Sequence, residues 1–173
     1  MGGREKGEIR LAGRRLIDIV VEGALAAGCV RAVIAGGVTS ASAITVREEP
    51  PFGGPVSGLA RTLQEVETDW VMLLSCDLPH SMLLCHLLAE SFRGIEPDHD
   101  GLLAVHAGHR QWLAGIYRRS SIEASLDRFD DLSGVSFHAL LGSLNLREAQ
   151  DPEGLSRDID TPEDLESVIR KEL

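Results

Sequence analysis

The sequence lacks the features typical of membrane, secreted and metal-cluster proteins. No apolar run reaches the roughly 18 residues that a membrane-spanning helix needs, and no signal peptide opens the chain. The three cysteines, Cys29, Cys76 and Cys85, do not have the spacing of metal ligands, and the six histidines do not either. We therefore expect free, buried thiols in a cytoplasmic protein that does not contact a membrane.

The chain also lacks the positive charge of a nucleic-acid-binding protein. Its formal net charge is −10, which argues against non-specific binding to nucleic acid. The basic residues are nevertheless concentrated near the start, where two acids accompany Arg4, Lys6, Arg10, Arg14 and Arg15. This local excess indicates either a site for an anionic small molecule or a solvated charged turn.

What the chain does contain is a regular alternation of strand and helix patterns. At 173 residues it is long enough for one domain with a full core. Apolar runs predict strands at 30–35, 43–46, 71–76, 101–106 and 144–149. Helical spacing predicts helices at 16–28, 56–66, 81–92, 121–129 and 136–141, and a threonine-capped last helix opens near 160–164. This alternation predicts a single three-layer α/β domain with a mostly parallel sheet covered on both faces.

The predicted strand 71–76 ends at an aspartate, Asp77. Open α/β sheets bind ligands just beyond the carboxyl ends of their strands. A carboxylate there is suited to hold a divalent cation against a phosphorylated substrate. The alternative is that Asp77 caps the amino end of the following helix, and the residues alone leave both open.

Six short segments in order resemble the molybdenum cofactor guanylyltransferases, within the wider MobA-like nucleotidyltransferases. Together they run from the first residue to about Leu165. The segments are Met-Gly-Gly-Arg-Glu-Lys (1–6), Leu-Ala-Gly-Arg-Arg-Leu-Ile (11–17), Glu-Pro-Pro-Phe-Gly-Gly-Pro (49–55), Cys-Asp-Leu-Pro (76–79), Gln-Trp-Leu (111–113) and Asp-Ile-Asp-Thr-Pro-Glu-Asp-Leu (158–165).

The resemblance implies a Rossmann-like domain that transfers GMP from GTP to molybdopterin carrying molybdenum. The products are the guanine dinucleotide cofactor and pyrophosphate. Such a transfer needs positioning and charge neutralisation rather than a covalent nucleophile, and the sequence shows no Ser/His/Asp or Cys/His arrangement. The implied metal is Mg²⁺, or Mn²⁺, and other molybdenum-cofactor proteins or apo-molybdoenzymes are candidate partners.

The same resemblance assigns roles to residues near the phosphates. Lys6 would contact the nucleotide phosphates as a point charge, and Gly2 and Gly3 would let the backbone approach the nucleotide closely. Asp77 would bind the metal ion, so Lys6 and Asp77 are the expected catalytic residues. Asp160 would give the metal or its waters a second contact, or belong to a helix cap.

Two further groups of residues would recognise the guanine base and the acceptor. Glu49 would accept hydrogen bonds from guanine, and the Gly54–Pro55 turn would close over the nucleotide or the pterin. Gln111 matches a family position that proline follows in many relatives, whereas Trp112 follows it here, and it would belong to the pterin or acceptor site.

The residues beside Gln111 have alternative interpretations. Trp112 would stack on the pterin or fill the core. Arg110 would serve the pterin phosphate or be solvated, and the same alternatives hold for Arg118 and Arg119.

The sequence departs from the family at its start. Relatives begin with an apolar strand and a longer glycine-rich loop, whereas this sequence begins at the methionine inside that signature. In a Rossmann-type sheet that strand is central and its loop cradles the nucleotide. We expect either that the true start lies upstream or that the chain is a relative retaining the fold without the activity. The alternatives for function are a related cytidylyltransferase, a nucleotidyltransferase with another acceptor, and a non-catalytic nucleotide- or cofactor-binding protein.

Overall fold

The fold is that of a computed structural model, which describes residues 6–47, 53–159, 161, 164–166 and 168. The helices are α1 (Leu16–Ala26), α2 (Pro55–Leu63), α3 (Ser81–Phe92), α4 (Arg119–Leu126) and α5 (Phe137–Leu141), after a 3₁₀ turn at Lys6–Glu8. The strands are β1 (Arg10–Leu11), β2 (Arg14–Arg15), β3 (Val33–Ala35), β4 (Ile44–Val46), β5 (Trp70–Leu74), β6 (Gly101–His106), β7 (His109–Arg118) and β8 (Leu146–Gln150).

The main sheet has four strands in the order β5-β7-β6-β8. Strand β7 runs antiparallel to β5 and β6, and β6 runs parallel to β8, so β5, β6 and β8 share one direction. The hairpin between β6 and β7 turns at Ala107 and Gly108, which both have positive φ (48° and 79°). This is the conformation that a two-residue type I′ hairpin turn requires.

A second, smaller sheet pairs β3 with β4 in parallel. Among the described strands neither of these pairs with β5, so the two sheets are separate in their hydrogen bonding. Strands β1 and β2 form a short antiparallel pair ahead of α1.

Helices cover both faces of the main sheet. On one face α1 and α3 pack through Val20, Leu84 and Leu88 against the apolar side chains of the strands. A Cβ atom on Gly23 of α1 would lie 3.0 Å from the Ser81 carbonyl oxygen of α3, so a glycine is needed where these helices meet. The opposite face is covered by α2, α4 and α5 around Leu103. The predicted three-layer α/β architecture is confirmed.

The structure corrects one interpretation and refines several bounds. Asp77 does not cap α3, because the residue that precedes this helix is His80, which makes no side-chain capping bond. Helix α3 and strand β6 have their predicted bounds, whereas β3 is shorter than predicted and α2 ends three residues earlier. Cys85 is buried, Cys29 and Cys76 are half-buried, and all three are free thiols. In the described part of the chain no helix has the length and apolar character to span a bilayer.

Candidate functional site

Asp77 lies just beyond the carboxyl end of β5, as the sequence predicts. Its side chain is 2% exposed, and both carboxylate oxygens have partners. The Ser75 hydroxyl donates a hydrogen bond to Oδ1, and Lys6 Nζ lies 3.1 Å from Oδ2. A buried carboxylate is costly without a charged or hydrogen-bonding partner, so Ser75 and Lys6 make this position of Asp77 possible.

Lys6 is held beside Asp77 by the packing of its neighbour Gly7. A Cβ atom on Gly7 would lie 3.2 Å from Ile17 Cβ and 3.3 Å from Val38 Cγ1, so the backbone passes tightly between these side chains. The Lys6 side chain is 38% exposed, in contrast to its buried partner. Lys6 therefore lies between the buried carboxylate and solvent.

Cys76, between Ser75 and Asp77, is unsuited to act as a nucleophile. Burial raises the pKa of its thiol, and the negative charge of Asp77 raises it further. The thiolate is the reactive form, and a raised pKa depletes it near neutral pH. This agrees with a site that works by charge and position.

A cavity of about 240 Å³ lies beside Ser75, one hydrogen bond away from Asp77. It brings together the three residues for which the resemblance predicts an acceptor role, Arg110, Gln111 and Trp112, on strand β7. The full lining is Ser75, Leu78, Arg110, Gln111, Trp112, Leu113, Ala114, Phe137, Ser156 and Asp158.

Trp112 both packs in the core and borders this cavity. It contacts the core beneath α2, α4 and α5, and its ring meets that of His138 edge-on at 5.5 Å. The Arg110 guanidinium carbon lies 5.9 Å from the Trp112 ring centroid, while Arg110 Nε donates to Glu148 Oε1 at 2.9 Å. The two interpretations of Trp112 are thus compatible, and Arg110 is positioned by a carboxylate on β8.

Arg118 and Arg119 are not at this cavity. Arg118 is the last residue of β7, where its guanidinium lies 4.4 Å from the Trp70 ring centroid. Arg119 Nη1 pairs with Glu123 Oε1 at 3.1 Å. Of the three arginines considered for the acceptor phosphate, Arg110 alone lines the cavity.

The loop after β8 contributes Ser156 and Asp158 to the cavity wall, and a buried aspartate that carries no sequence signal holds this loop in place. Asp151 is 1% exposed and accepts hydrogen bonds from Leu155 N (2.9 Å), Ser156 N (2.8 Å) and Ser156 Oγ (2.6 Å). Burial raises the pKa of Asp151, but these bonds outweigh it and leave the pKa below its ordinary value. The run Asp-Pro-Glu-Gly at 151–154 indicates a turn, but it does not show that the turn ends at this cavity.

The same loop is tied directly to the Asp77 position. Ile159 N donates to the Asp77 carbonyl oxygen at 3.2 Å. Because Asp158 lines the cavity and Ile159 bonds to Asp77, the loop joins the two parts of the site. Just after it, Thr161 Oγ1 accepts from Asp164 N at 3.1 Å, and Thr161 N donates to Asp164 Oδ2 at 2.9 Å. This reciprocal pair confirms the predicted threonine cap.

The Gly54–Pro55 turn is described, but several other predicted site residues are not. Gly54 has φ 93° and ψ 179° and precedes α2, in which Pro55 is the first residue. A side chain would strain this backbone conformation. Gly2, Gly3, Glu49 and Asp160 lie outside the described residues.

A hard divalent cation would find a suitable ligand in Asp77. Among the described residues no group of three or more His, Cys, Asp or Glu side chains could hold a metal ion. Mg²⁺, however, is usually bound by one or two carboxylates together with substrate phosphates and water. The Asp77 carboxylate fits that kind of site and does not fit a metal cage built from protein alone.

The family of the chain follows from comparison with known proteins. The family profile of the MobA-like NTP transferase domain matches residues 1–145. The chain is 36% identical over 124 residues to a probable molybdenum cofactor guanylyltransferase of Nostoc, which covers 69% of this chain and 58% of that protein. It is 30% identical over 125 residues to the molybdenum cofactor guanylyltransferase of Vibrio cholerae, which covers 69% and 60%. The chain thus spans about three fifths of the length of these relatives.

Solved structures show the same fold. The molybdopterin-guanine dinucleotide biosynthesis protein A of Archaeoglobus fulgidus has a TM-score of 0.69 and 22% identity, covering 99% of this chain and 93% of its own. A CMP:2-keto-3-deoxy-manno-octonic acid synthetase complexed with CTP has a TM-score of 0.73 and 16% identity, with coverages of 97% and 92%. With the profile match over most of its length and the Nostoc and Vibrio relatives, the chain belongs to the MobA-like NTP transferase family.

Proposed function

We propose that this protein is a nucleotidyltransferase that transfers GMP from GTP to the terminal phosphate of molybdenum-bearing molybdopterin. The observation that carries the proposal is the buried Asp77, paired with Lys6 and one hydrogen bond from the Arg110–Gln111–Trp112 cavity. A phosphate-binding group next to a cavity for a second substrate is the arrangement that such a transfer needs. The names of the Nostoc and Vibrio relatives support this choice of substrates.

The reaction needs little acid–base chemistry from the protein. An oxygen of the acceptor phosphate attacks the α-phosphorus of GTP, the new P–O bond forms, and the bond to the β-phosphate oxygen breaks to release pyrophosphate. A phosphate monoester is already largely ionised near neutral pH, so its oxygen needs no general base. The protein therefore contributes alignment and neutralisation of charge.

Lys6 and Asp77 would exchange partners when the substrate binds. In the structure Lys6 Nζ forms an ion pair with Asp77 Oδ2, and the lysine side chain is partly exposed. A triphosphate would draw the Lys6 ammonium towards its oxygens and free Asp77 Oδ2 for Mg²⁺ or Mn²⁺. The bound ion would neutralise phosphate charge, and Asp160, two residues after Asp158, would supply its second carboxylate contact. Ser75 would keep the Asp77 side chain in place during this exchange.

We assign recognition of the two substrates to residues on either side of the Lys6–Asp77 pair. Glu49 would read the guanine base, Gly2 and Gly3 would bring backbone amides to the phosphates, and Gly54–Pro55 would close over the nucleotide. At the cavity, Arg110 would contact the acceptor phosphate and Trp112 would contact the pterin ring. Gln111 supplies amide hydrogen-bonding groups suited to the pterin edge.

The cellular setting follows from the proposed chemistry. The three free thiols would stay reduced in the cytoplasm. The product would pass to other molybdenum-cofactor proteins or to apo-molybdoenzymes, and neither nucleic acid nor a membrane takes part.

The decisive experiment measures guanine dinucleotide formation and pyrophosphate release with purified protein, GTP, molybdopterin and Mg²⁺. We expect Asp77→Asn to lower kcat by about 10²–10³-fold, the range for losing one charge-stabilising group in an active site. The matched control is Asp69→Asn, because Asp69 is exposed and lies at the opposite end of β5. Equal activity of the two variants would contradict the assigned role of Asp77.

A nucleotide panel tests the base and the class of function. Turnover with CTP in place of GTP would identify a cytidylyltransferase. Turnover with another phosphorylated acceptor would show that the acceptor is not molybdopterin. If the protein binds GTP without turning it over, and if the Asp77→Asn variant still binds GTP, the protein is a non-catalytic binding protein.

The acceptor site can be tested separately from the nucleotide site. We expect Arg110→Gln to raise the KM for molybdopterin while leaving the KM for GTP within about twofold, because removal of one phosphate contact costs about 1–2 kcal/mol. Arg93→Gln is the control, since Arg93 is 78% exposed and pairs with Glu90 at the end of α3. A rise in the KM for GTP would mean that the cavity holds the nucleotide.

A further inference from the structure

Strand β7 separates from strand β6 for three residues where it borders the cavity. Leu103 of β6 pairs with Gly115, whereas the next residue of β6, Ala104, pairs with Gln111. Residues 112–114 of β7 therefore have no counterpart on β6 and form a bulge, which we call the 112–114 bulge. All three of its residues line the cavity. Bulges bend a strand and re-aim its side chains, and they are common beside active sites.

The 112–114 bulge is held on its other side by β5. Leu74 pairs with Ala114, and Ser75 N donates a hydrogen bond to Leu113 O at 3.0 Å. On the β6 side the ladder is interrupted at this point. A buried carbonyl group that loses a ladder partner needs another donor.

Tyr117 supplies such a donor to the first residue of the bulge. Its hydroxyl donates a hydrogen bond to the Trp112 carbonyl oxygen at 2.8 Å, five residues back along the same strand. Tyr117 is fully buried and belongs to the core cluster against which Trp112 packs. Tyr117 does not line the cavity itself, so its effect on a bound molecule must act through the bulge.

Gly115 makes room for the contact between Tyr117 and Trp112. Gly115 and Tyr117 lie on the same face of the sheet, because side chains two positions apart in a strand point to the same side. A Cβ atom on Gly115 would lie 2.8 Å from Tyr117 Cε2 and 2.9 Å from the Tyr117 hydroxyl oxygen. The lack of a side chain at Gly115 therefore lets the phenol ring reach back along the strand.

We propose that Tyr117 is a positioning residue for the acceptor cavity. Its hydroxyl fixes the Trp112 backbone, and this contact sets the bend that places Arg110, Gln111 and Trp112 at the cavity. That the cavity binds molybdopterin rests on the proposed function, whereas the role of Tyr117 in shaping the bulge rests on the contacts of the strand alone. Tyr117 takes no part in the chemical step.

The substitution Tyr117→Phe removes the hydroxyl and keeps the buried ring. The matched control is Thr62→Val, because the Thr62 hydroxyl also donates to a backbone carbonyl oxygen, that of Leu59, at 2.8 Å. Thr62 lies on α2 and does not line the cavity. The two variants thus each lose one hydrogen bond from a hydroxyl to the backbone, and Tyr117→Phe alone loses it at the bulge.

Amide hydrogen exchange, measured by NMR, reports on the bulge without any substrate. The probe is the Ser75 amide, which donates to Leu113 O in the bulge. The internal reference is the Arg119 amide, which donates to Asp69 O at 2.8 Å at the other end of the same strand pair. A general loss of stability would speed exchange at both amides, so the ratio of the two rates isolates the bulge.

We expect Tyr117→Phe to speed exchange at Ser75 by about tenfold relative to Arg119, the factor for loss of about one hydrogen bond. Thr62→Val should leave this ratio as it is in the wild-type protein. An unchanged ratio in Tyr117→Phe would overturn the proposal, whatever reaction the protein catalyses.

Steady-state kinetics test the consequence for the acceptor. We expect Tyr117→Phe to raise the KM for molybdopterin by about five- to tenfold and to leave the KM for GTP within about twofold, because the bulge borders the cavity assigned to the acceptor. Faster exchange at Ser75 with an unchanged KM for molybdopterin would also overturn the proposal, since the hydroxyl would then serve stability alone. If the wild-type protein transfers no GMP to molybdopterin, the proposed function fails, and the exchange ratio alone decides whether Tyr117 positions the bulge.

Discussion

Removal of the charge from Lys6 should destabilise the fold more than removal of the charge from Asp77. In Lys6→Met the 2% exposed Asp77 carboxylate keeps its charge and loses its ion-pair partner at 3.1 Å. Leaving a buried charge unpaired costs about 3–5 kcal/mol when both partners are buried. Because Lys6 is 38% exposed, solvent screens the pair and the expected cost falls to about 2 kcal/mol.

Asp77→Asn should cost less because it leaves no buried charge behind. The asparagine oxygen still accepts the Ser75 hydroxyl, and the Lys6 ammonium can turn to solvent. We expect a cost of about 1 kcal/mol, close to that of one neutral hydrogen bond. The double variant Lys6→Met/Asp77→Asn should also cost about 1 kcal/mol, so that the two substitutions couple by about 2 kcal/mol.

Urea unfolding at neutral pH measures all three variants. For a slope of about 2 kcal/mol per molar, the midpoint should fall by about 1 M in Lys6→Met and about 0.5 M in Asp77→Asn. Ser75→Ala, which keeps the ion pair, provides a further reference. A larger loss in Asp77→Asn than in Lys6→Met, or strictly additive losses, would refute the reasoning that the buried carboxylate determines these energies.

Three further predictions concern the surroundings of the site. Gly54→Ala should cost about 1–3 kcal/mol in urea unfolding, because its φ of 93° strains any side chain even though a Cβ there meets no atom within 4 Å. An unchanged unfolding midpoint would contradict this. Asp151, whose pKa is lowered, adds stability that is present above its unfolded pKa of about 3.9 and is lost as pH falls through its folded pKa. Asp151→Asn should therefore flatten the acid side of the stability profile, and an unchanged acid limb would contradict this. Burial raises the pKa of the Cys85 thiol to about 12. Iodoacetamide should therefore label Cys85 at mildly alkaline pH only as fast as the protein unfolds. Prompt labelling of Cys85 in the native protein would contradict this.

Local sequence patterns were sufficient to predict the helices and strands whose apolar spacing is regular and whose ends are marked by turn residues. Helix α3 has its predicted bounds because its apolar spacing lies between a proline turn and a glycine. Asp77 was predicted correctly to lie just beyond β5, because the apolar run 71–76 stops at this aspartate. Its interpretation as a helix cap was wrong, because the side chain turns inward to Ser75 and Lys6 rather than towards α3. The choice between these partners depends on packing that local sequence does not encode.

The cavity was predictable in part. Gln111 and Trp112 were predicted from the resemblance, and they do line the cavity, but its lining residues Ser75 and Ser156 carry no sequence signal for this site. The same is true of Asp151, which holds Ser156 in place. Asp151 reaches its partners through a loop, and that loop reaches Asp77 through Ile159. The Ile159–Asp77 contact joins residues 82 positions apart, so its existence depends on the sheet order β5-β7-β6-β8.

The sequence by itself determined the class of the fold, the apolar strands, the acid at the end of β5 and the family of the chain. These follow from short-range periodicity and from residue types that act within a few positions of one another. The tertiary structure decided that Lys6 pairs with Asp77 and that Trp112 belongs to both core and cavity. The physical reason is that ion pairs and cavities arise between elements distant in the chain, and the packing of helices on the sheet sets their positions.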